Sequence, residues 1–188
     1  MKYIGTKELE TERLILRKLT ANDYADAYIN WCSSEEVSKY VLWSKHKDPI
    51  FTKMLYEAWE NEYEDLKTYR WIVELKKTKD LIGVIDVVSK KYMVFGTVEI
   101  GYCYGEKFWN KGYASEALKR VIKFLFEECD VDTICAEHMS NNIASGKVMV
   151  NSGMTYEGTL KSRVIDKNNL RNDLLSYSIT KEEYFKKN

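Results

Sequence analysis

The chain has 188 residues, 45% apolar and 31% charged, and its 29 Lys and Arg residues balance its 29 Asp and Glu residues to a formal charge of zero. This length is typical of one domain, residues 1–188, and zero net charge without a polybasic run argues against a nucleic-acid partner. No apolar stretch approaches the roughly 20 residues that cross a bilayer, and residues 1–11 are too polar for a signal peptide, so we expect a cytoplasmic protein with no membrane partner.

The first half of the chain predicts one strand, residues 11–17, followed by three helices. Each helix is preceded by a side chain that can accept a hydrogen bond from a free backbone amide of the first turn. These residues are Thr20 with Asp23 three positions on, Ser33 or Ser34, and Asp48 with Pro49 after it. The helices are predicted to end at about Cys32, Tyr40 and Glu64. The third carries an apolar stripe spaced like a core face, made of Phe51, Met54, Leu55, Ala58 and Trp59.

From residue 69 the hydrophobic period changes to two, which predicts strands. Strands 69–75 and 81–88 flank a polar turn, strand 97–104 precedes a strongly amphipathic helix that begins near Ala114, and strand 133–138 follows it. Asn142 can cap a further helix that ends at Gly153, and strands 154–164 and 170–179 come last, before a final helical turn at Thr180. This order predicts a mixed α/β fold rather than a regular βαβ repeat.

The four cysteines show no C-x-x-C spacing, and only two histidines accompany them. The sequence therefore predicts neither a metal site nor a disulfide framework, and it favours free buried thiols.

Residues 107–115 join a strand to the amphipathic helix and contain Gly112 and Ala114 but no carboxylate. A helix N-terminus carries free amide groups and a partial positive charge, which suit an anion. Lys107 and Lys111 add positive charge, unless they are ordinary surface lysines. The segment is a candidate phosphate site or simply a turn before a helix, since short glycine loops are weak motifs and this one matches neither the P-loop nor the Rossmann motif.

Four segments, taken together in order and spacing, resemble the GCN5-related N-acetyltransferases (GNAT family), and within it the RimJ/RimL-like branch that acetylates protein N-termini or small amines. They are TERLILRKLTANDY (11–24), LIGVIDV (81–87), VEIGYCYGEKFWNKGYASEALKRVIKFLF (98–126) and NIASGKVMVNSGMTYEG (142–158). The resemblance implies one GNAT domain with a splayed, mostly antiparallel sheet of about seven strands flanked by helices. It also implies transfer of an acetyl group from acetyl-CoA to a primary amine by direct attack in a ternary complex.

The resemblance also implies which residues hold acetyl-CoA. The family's pyrophosphate loop, Gln/Arg-x-x-Gly-x-Gly/Ala, maps onto residues 109–114, with Trp109 in place of Gln or Arg. The strand 100–104 is expected to splay from its neighbour so that its backbone pairs with the pantetheine arm. The implied residues are Ile100, Tyr102, Tyr104, Lys107, Asn110, Lys111, Gly112, Tyr113, Ala114, Ser115, Asn142 and Ser145.

Two residues are candidates for proton handling. An amine attacks only when neutral, yet free amines are largely protonated at neutral pH, and Glu99, in an otherwise apolar strand, is the candidate base. The position of the family's usual tyrosine donor holds Met149, whereas Asn142 and Ser145 fit the branch pattern Asn-x-x-Ser, so Ser145 is the candidate donor to the leaving thiolate. The alternatives are an ion-paired structural Glu99 and a helix-capping Ser145. An acyl-enzyme on Cys103 and a base at His138 are further alternatives.

The acceptor pocket implied by the family is built from the early helices and the last hairpin. Aromatic and acidic residues there suit a cationic amine, but for most of them the spacing favours core aromatics beside a solvated helix face. They are Trp31, Tyr40, Trp43, Trp59 and Tyr63, with Glu57, Glu60, Glu62 and Glu64 nearby. We expect a protein or peptide α-amine as acceptor, with a small amine such as a polyamine, or a noncatalytic acetyl-CoA sensor, as alternatives. A monomer or homodimer without a metal is expected.

Overall fold

The computed structural model describes residues 1–187, so Asn188 of the predicted domain lies outside the described residues. Its centre is one eight-stranded sheet with the order β1-β2-β3-β4-β5-β6-β8-β7. Neighbouring strands are antiparallel except β5 and β6, which are parallel. The strands are β1 (Leu9–Glu10), β2 (Leu14–Arg17), β3 (Arg70–Leu75), β4 (Leu81–Ser89), β5 (Thr97–Tyr104), β6 (Thr133–Met139), β7 (Thr155–Ile165) and β8 (Arg171–Thr180).

The mixed α/β fold with a mostly antiparallel sheet is therefore confirmed, with one strand more than the seven expected. The extra strand is β1, whose two residues are too short to show an alternating pattern. The predicted first strand begins late, at Leu14 instead of residue 11. The reason is a tight turn in which Leu14 and Thr11 exchange hydrogen bonds, 2.9 Å from the Leu14 amide to Thr11 Oγ1 and 3.0 Å from the Thr11 amide to the Leu14 carbonyl.

The helices follow the predicted caps. Ser34 accepts from the Val37 amide at 3.2 Å, and Asp48 accepts from the Phe51 amide at 3.0 Å, with Pro49 in the first turn. The helices are α1 (Tyr24–Ala27), which continues as a π-helical turn (Tyr28–Cys32), α2 (Glu35–Ser38), α3 (Pro49–Asn61), α4 (Tyr113–Glu127), α5 (Ile143–Asn151) and α6 (Lys181–Lys187).

The prediction that the apolar stripe of α3 is a core face is wrong. The side chains that α3 buries are Thr52 and Tyr56, whereas Phe51 is 54% and Met54 63% exposed. Because Tyr56 lies four residues after Thr52, these two side chains share the face of α3 that packs against the protein. Tyr56 there belongs to a small cluster of buried residues that also includes Trp31 and Ile72. The stripe is rotated away from this face.

The main core lies between the sheet and α4. Buried residues of β5 and β6 pack with the apolar face of α4. Only three residue pairs join the two parallel strands, from Thr97 with Thr133 to Glu99 with Cys135. Beyond them β5 stays paired with β4 and β6 with β8. The two strands therefore separate after Glu99, as the resemblance implied, and leave an opening through the sheet.

Candidate active site

The loop before α4 has the backbone of an anion site. Asn110 (φ 59°) and Gly112 (φ 79°) are both left-handed, a conformation that glycine adopts without a steric penalty. Gly112 is the N-cap of α4 and no side chain caps the helix, and the first helical bond runs from the Glu116 amide to the Gly112 carbonyl at 3.0 Å. The amides of the first turn are therefore available to an anion at the positive end of the helix dipole.

An ion pair between Arg13 and Glu116 supports this loop. Arg13 Nε donates to Glu116 Oε2 at 2.6 Å, and Arg13 Nη1 donates to the Lys111 carbonyl at 3.1 Å. The guanidinium also lies 4.5 Å from the centre of the Tyr113 ring. Burial alone would raise the pKa of Glu116, but hydrogen bonds from Thr11 and Arg13 outweigh it and lower that pKa. Sequence reasoning missed this pair because 103 positions separate its members. The acidic residue in the first turn of α4 was its one visible sign.

Trp109, which stands in place of the family's Gln or Arg, forms a hydrogen bond of its own. Its indole Nε1 donates to the Tyr104 carbonyl at 2.7 Å, which connects the loop to the end of β5. Lys107 and Lys111 are exposed at this loop, and neither lines the cleft described next. Lys111 Nζ lies 5.7 Å from the centre of the Phe108 ring.

A cleft of about 1220 Å³ runs from the loop before α4, through the opening between β5 and β6, to an aromatic chamber beside α3. It brings together Glu99 and all the predicted acetyl-CoA residues except Lys107 and Lys111. Those that line it are Ile100, Tyr102, Tyr104, Asn110, Gly112, Tyr113, Ala114, Ser115, Asn142 and Ser145.

These residues fit acetyl-CoA. The uncapped start of α4 offers amide groups to its phosphates, and the separated strands leave backbone groups for an amide-containing arm. The Tyr104 hydroxyl is buried and finds no hydrogen-bond partner in residues 1–187. A buried hydroxyl is normally satisfied, so an orphan at this point fits a site completed by a polar ligand.

Glu99 is half-buried on β5 where the strands separate. Burial raises the pKa of its carboxyl group, and the charge of Glu137 on β6 raises it further. Within residues 1–187 no Lys, Arg or His forms an ion pair with Glu99. An unpaired carboxylate of raised pKa suits a general base better than a structural ion pair.

Ser145 lies in the first turn of α5 and is 9% exposed. Its amide donates to Asn142 Oδ1 at 3.3 Å, which confirms Asn142 as the helix cap. Its hydroxyl lies 2.9 Å from the hydroxyl of Tyr102 on β5. Met149, at the position of the family's usual donor, is buried.

The two further alternatives, Cys103 and His138, both line the cleft, but their surroundings differ. Burial raises the pKa of the Cys103 thiol, so that it stays protonated at neutral pH, and protonated thiols are poor nucleophiles. His138 lines the cleft, and its Nε2 is buried without a hydrogen-bond partner in the described part of the chain, while its Nδ1 lies 2.8 Å from the Met139 carbonyl and its ring stacks on Tyr177.

The acceptor end of the cleft is aromatic, and its carboxylates differ from those expected. Glu57, Glu60, Glu62 and Glu64 are exposed outside the cleft. Tyr63 also lies outside the cleft, but it is half-buried against the core cluster that includes Trp31, and its hydroxyl donates to the Arg70 carbonyl. The wall is formed by Trp31, Tyr40, Trp43, Phe51 and Trp59.

Asp86, which sequence reasoning missed, supplies a carboxylate there. It lies on β4 opposite Gly101, and Arg70 Nε donates to it at 3.2 Å. Burial raises the pKa of Asp86 despite the opposing effect of Arg70. Arg70 in turn lies 4.4 Å from the centre of the Trp59 ring. A lone Asp in the apolar run LIGVIDVV was the available sign.

Within residues 1–187 no three His, Cys, Asp or Glu side chains are grouped so as to hold a metal ion. In the same part of the chain, no helix has the length and apolar character needed to span a membrane.

Known proteins share this fold and sequence pattern. A family model described as an acetyltransferase (GNAT) domain matches residues 13–155. An uncharacterized N-acetyltransferase of Bacillus subtilis (strain 168), YnaD, is 32% identical over 94% of this chain and 98% of its own length. The ribosomal protein uS5-alanine N-acetyltransferase of Escherichia coli (strain K12) is 28% identical over 52% of this chain and 50% of its own length. A solved GNAT-family acetyltransferase from Bacillus anthracis superposes with a TM-score of 0.82 at 28% identity, covering 94% of this chain and 99% of that one.

Fold and cleft together define an acyltransferase that takes its acyl group from acetyl-CoA. The chain belongs to the GNAT family of N-acetyltransferases, and the resemblance to its RimJ/RimL-like branch is confirmed.

Proposed function

We propose that the protein transfers the acetyl group to a neutral primary amine by direct attack in a ternary complex. Glu99 takes the proton of the incoming amine, directly or through water. Ser145 donates to the thiolate of coenzyme A as it leaves. The α-amine at the N-terminus of a protein or peptide is the acceptor.

The observation that carries the proposal is that Glu99 and Ser145 lie at the same point of one cleft. Both line one cleft at the opening between β5 and β6, Glu99 from β5 and Ser145 from the helix that follows β6. The base and the donor thus approach the opening from its two sides. An amine that enters from the aromatic chamber passes Glu99, while the loop before α4 lies at the other end of the same cleft.

The choice of an α-amine is supported by the relative that acetylates the alanine of ribosomal protein uS5. An α-amine has an ordinary pKa of about 7.7 to 8.0, so a modest base is enough to deprotonate it near neutral pH.

A small-molecule amine is the second candidate, and the lining of the acceptor end favours it. That end is walled by aromatic and aliphatic side chains, including Val37, Leu55 and Val84, and its carboxylates are Asp86, Glu99 and Glu137. Such a chamber offers few side-chain partners for the amide groups of a peptide, whereas it suits a compact cation with an apolar body.

Free-thiol release from acetyl-CoA tests the proposal. The purified protein is given a lysine-free peptide with a free N-terminal alanine, the same peptide with a blocked N-terminus, or small primary amines that include a polyamine. We expect thiol release and a mass gain of one acetyl group with the free peptide and neither with the blocked one. Release with small amines alone would contradict the α-amine acceptor. Acetyl-CoA binding without release for any amine would contradict the enzyme and point to a sensor.

A further inference from the structure

A hydrogen-bonded pair of side chains, one on β5 and one on α5, spans the opening between β5 and β6. The Tyr102 hydroxyl, from β5, donates to the Ser145 carbonyl at 3.0 Å or shares a proton with Ser145 Oγ at 2.9 Å. Both side chains line the cleft, and both are mostly buried. The family's usual tyrosine donor stands on the helix, at the position of Met149. Here the phenol comes instead from the strand and reaches the cleft beside the serine.

The phenol of Tyr102 stays neutral. Burial raises its pKa well above the ordinary value of tyrosine, and the hydrogen bond to Ser145 offsets only part of that rise. A neutral phenol has one proton to donate and can also accept. In one arrangement it donates to the Ser145 carbonyl and accepts the proton of the Ser145 hydroxyl. In the other it donates to Ser145 Oγ, which leaves the serine proton free to point into the cleft.

Only the second arrangement lets Ser145 assist the leaving group. When the carbon–sulfur bond of acetyl-CoA breaks, the electron pair goes to sulfur, which gains negative charge. A serine hydroxyl is a far weaker acid than a thiol, so its role is to donate a hydrogen bond to that sulfur rather than to give up its proton. A donor fixed beforehand does this better than one that must reorient during the reaction.

We infer that Tyr102 is a positioning residue for the leaving-group half of the reaction. Its phenol donates to Ser145 Oγ before the carbon–sulfur bond breaks, holds that oxygen in place and directs the serine proton toward the sulfur as it becomes negative. The inference rests on the proposed function of the cleft. It also gives the side chain of Tyr102 a role, whereas the family resemblance implied only a cofactor contact on its strand.

The test compares Tyr102→Phe, Ser145→Ala and the double variant, with the amine that the wild type acetylates. Phenylalanine keeps the ring and removes only the hydroxyl. We expect Tyr102→Phe to lower kcat roughly tenfold and to change the KM for acetyl-CoA less than about twofold, the size of effect of one lost hydrogen bond. On the Ser145→Ala background the same change should lower kcat no further, because the group that Tyr102 holds is already gone.

Tyr69→Phe is the matched control. Tyr69 is a buried tyrosine whose hydroxyl bonds to the backbone of Ile4 and Lys2, and it does not line the cleft. Its removal should affect thermal stability and leave kcat unchanged. All variants are assayed well below the lowest melting temperature, so that a loss of stability is not read as a loss of rate.

Two kinds of failure are distinguishable. If the wild type turns over and Ser145→Ala slows it, but Tyr102→Phe does not, or slows it equally with and without Ser145, the positioning role is overturned and the proposed function stands. If the wild type acetylates nothing, or Ser145→Ala has no effect, the donor role of Ser145 is lost and the role of Tyr102 is overturned with it.

Discussion

Two effects raise the pKa of the Glu99 carboxyl group: its burial and the nearby charge of Glu137. Both effects favour the protonated form of this group, and a general base must take up a proton during turnover. Glu99→Gln should lower kcat/KM roughly a hundredfold or more, measured by thiol release. The folded-state pKa is raised, so the ionised carboxylate destabilises the fold once the pH exceeds it. The amide should therefore not lower the melting temperature at neutral pH. Near-wild-type activity in the variant would remove Glu99 from the mechanism.

The pH dependence of kcat/KM gives a second prediction at this residue. The base must be ionised, so activity should fall as the pH drops through a pKa above the ordinary glutamate value of about 4.3. Glu137→Gln removes the like charge but not the burial. The acid limb of its profile should move to lower pH without reaching the ordinary value. A limb that does not move would show that Glu137 does not act on the base.

The loop before α4 is the element on which acetyl-CoA binding depends. Gly112 has a φ of 79°, and an alanine there strains the backbone by roughly 1 kcal/mol. Gly112→Ala should weaken acetyl-CoA binding about fivefold by calorimetry. Gly158→Ala is the control, because φ at Gly158 is not in the left-handed region and its added carbon meets nothing within 4 Å. Equal binding by both variants would argue against a role of the loop backbone.

The Arg13 support of that loop yields a separate prediction. Lysine cannot reproduce the fork that reaches both Glu116 and the Lys111 carbonyl. Arg13→Lys should therefore raise the Kd for acetyl-CoA several-fold while kcat at saturation stays unchanged. Arg120→Lys is the control on α4 itself, since Arg120 bonds only to the Glu10 carbonyl among the described residues. An unaltered Kd in Arg13→Lys would mean that the loop holds its shape without the guanidinium.

The elements that the sequence predicted well are those defined by local rules. The caps at Ser34, Asp48 and Asn142 act within three residues, and the hairpin of β3 and β4 is separated by a short turn. The orientation of α3 was predicted wrongly because periodicity identifies an apolar stripe but not which neighbour it meets. Here the face that meets the protein carries Thr52 and Tyr56.

At the scale of the whole molecule, the family resemblance placed the cleft-lining residues better than single-residue reasoning did. Glu99, Ser145, Asn110 and Gly112 line one cleft as expected, whereas Lys107 and Lys111 do not line it. Arg13 with Glu116 and the carboxylate of Asp86 were missed. Arg13 contacts Glu116 on α4 across 103 positions, and Asp86 contacts Arg70 from the neighbouring strand of the β3–β4 hairpin, so both depend on which side chains the folded backbone brings together. The glutamates of α3, nearer in sequence to the aromatic residues, point outside.

The packing of α4 on the sheet forms the main core of the protein. Phe124 is fully buried and contacts Trp71 edge-to-face, with ring centres 5.8 Å apart. Phe124→Ala should lower the free energy of unfolding by about 3–5 kcal/mol, measured by urea denaturation. Phe95→Ala, at a residue 75% exposed, should change it by no more than about 0.5 kcal/mol. Similar losses in both variants would contradict the assignment of the core.

The central claim, direct acetyl transfer within a ternary complex, is tested most directly by rapid mixing of enzyme and acetyl-CoA with and without an accepted amine. Free thiol is followed from the first turnover. We predict no thiol release without the amine, and with it a release equal to the amount of acetylated product. A burst equal to the enzyme concentration in the absence of amine would contradict direct attack and indicate an acetyl-enzyme instead.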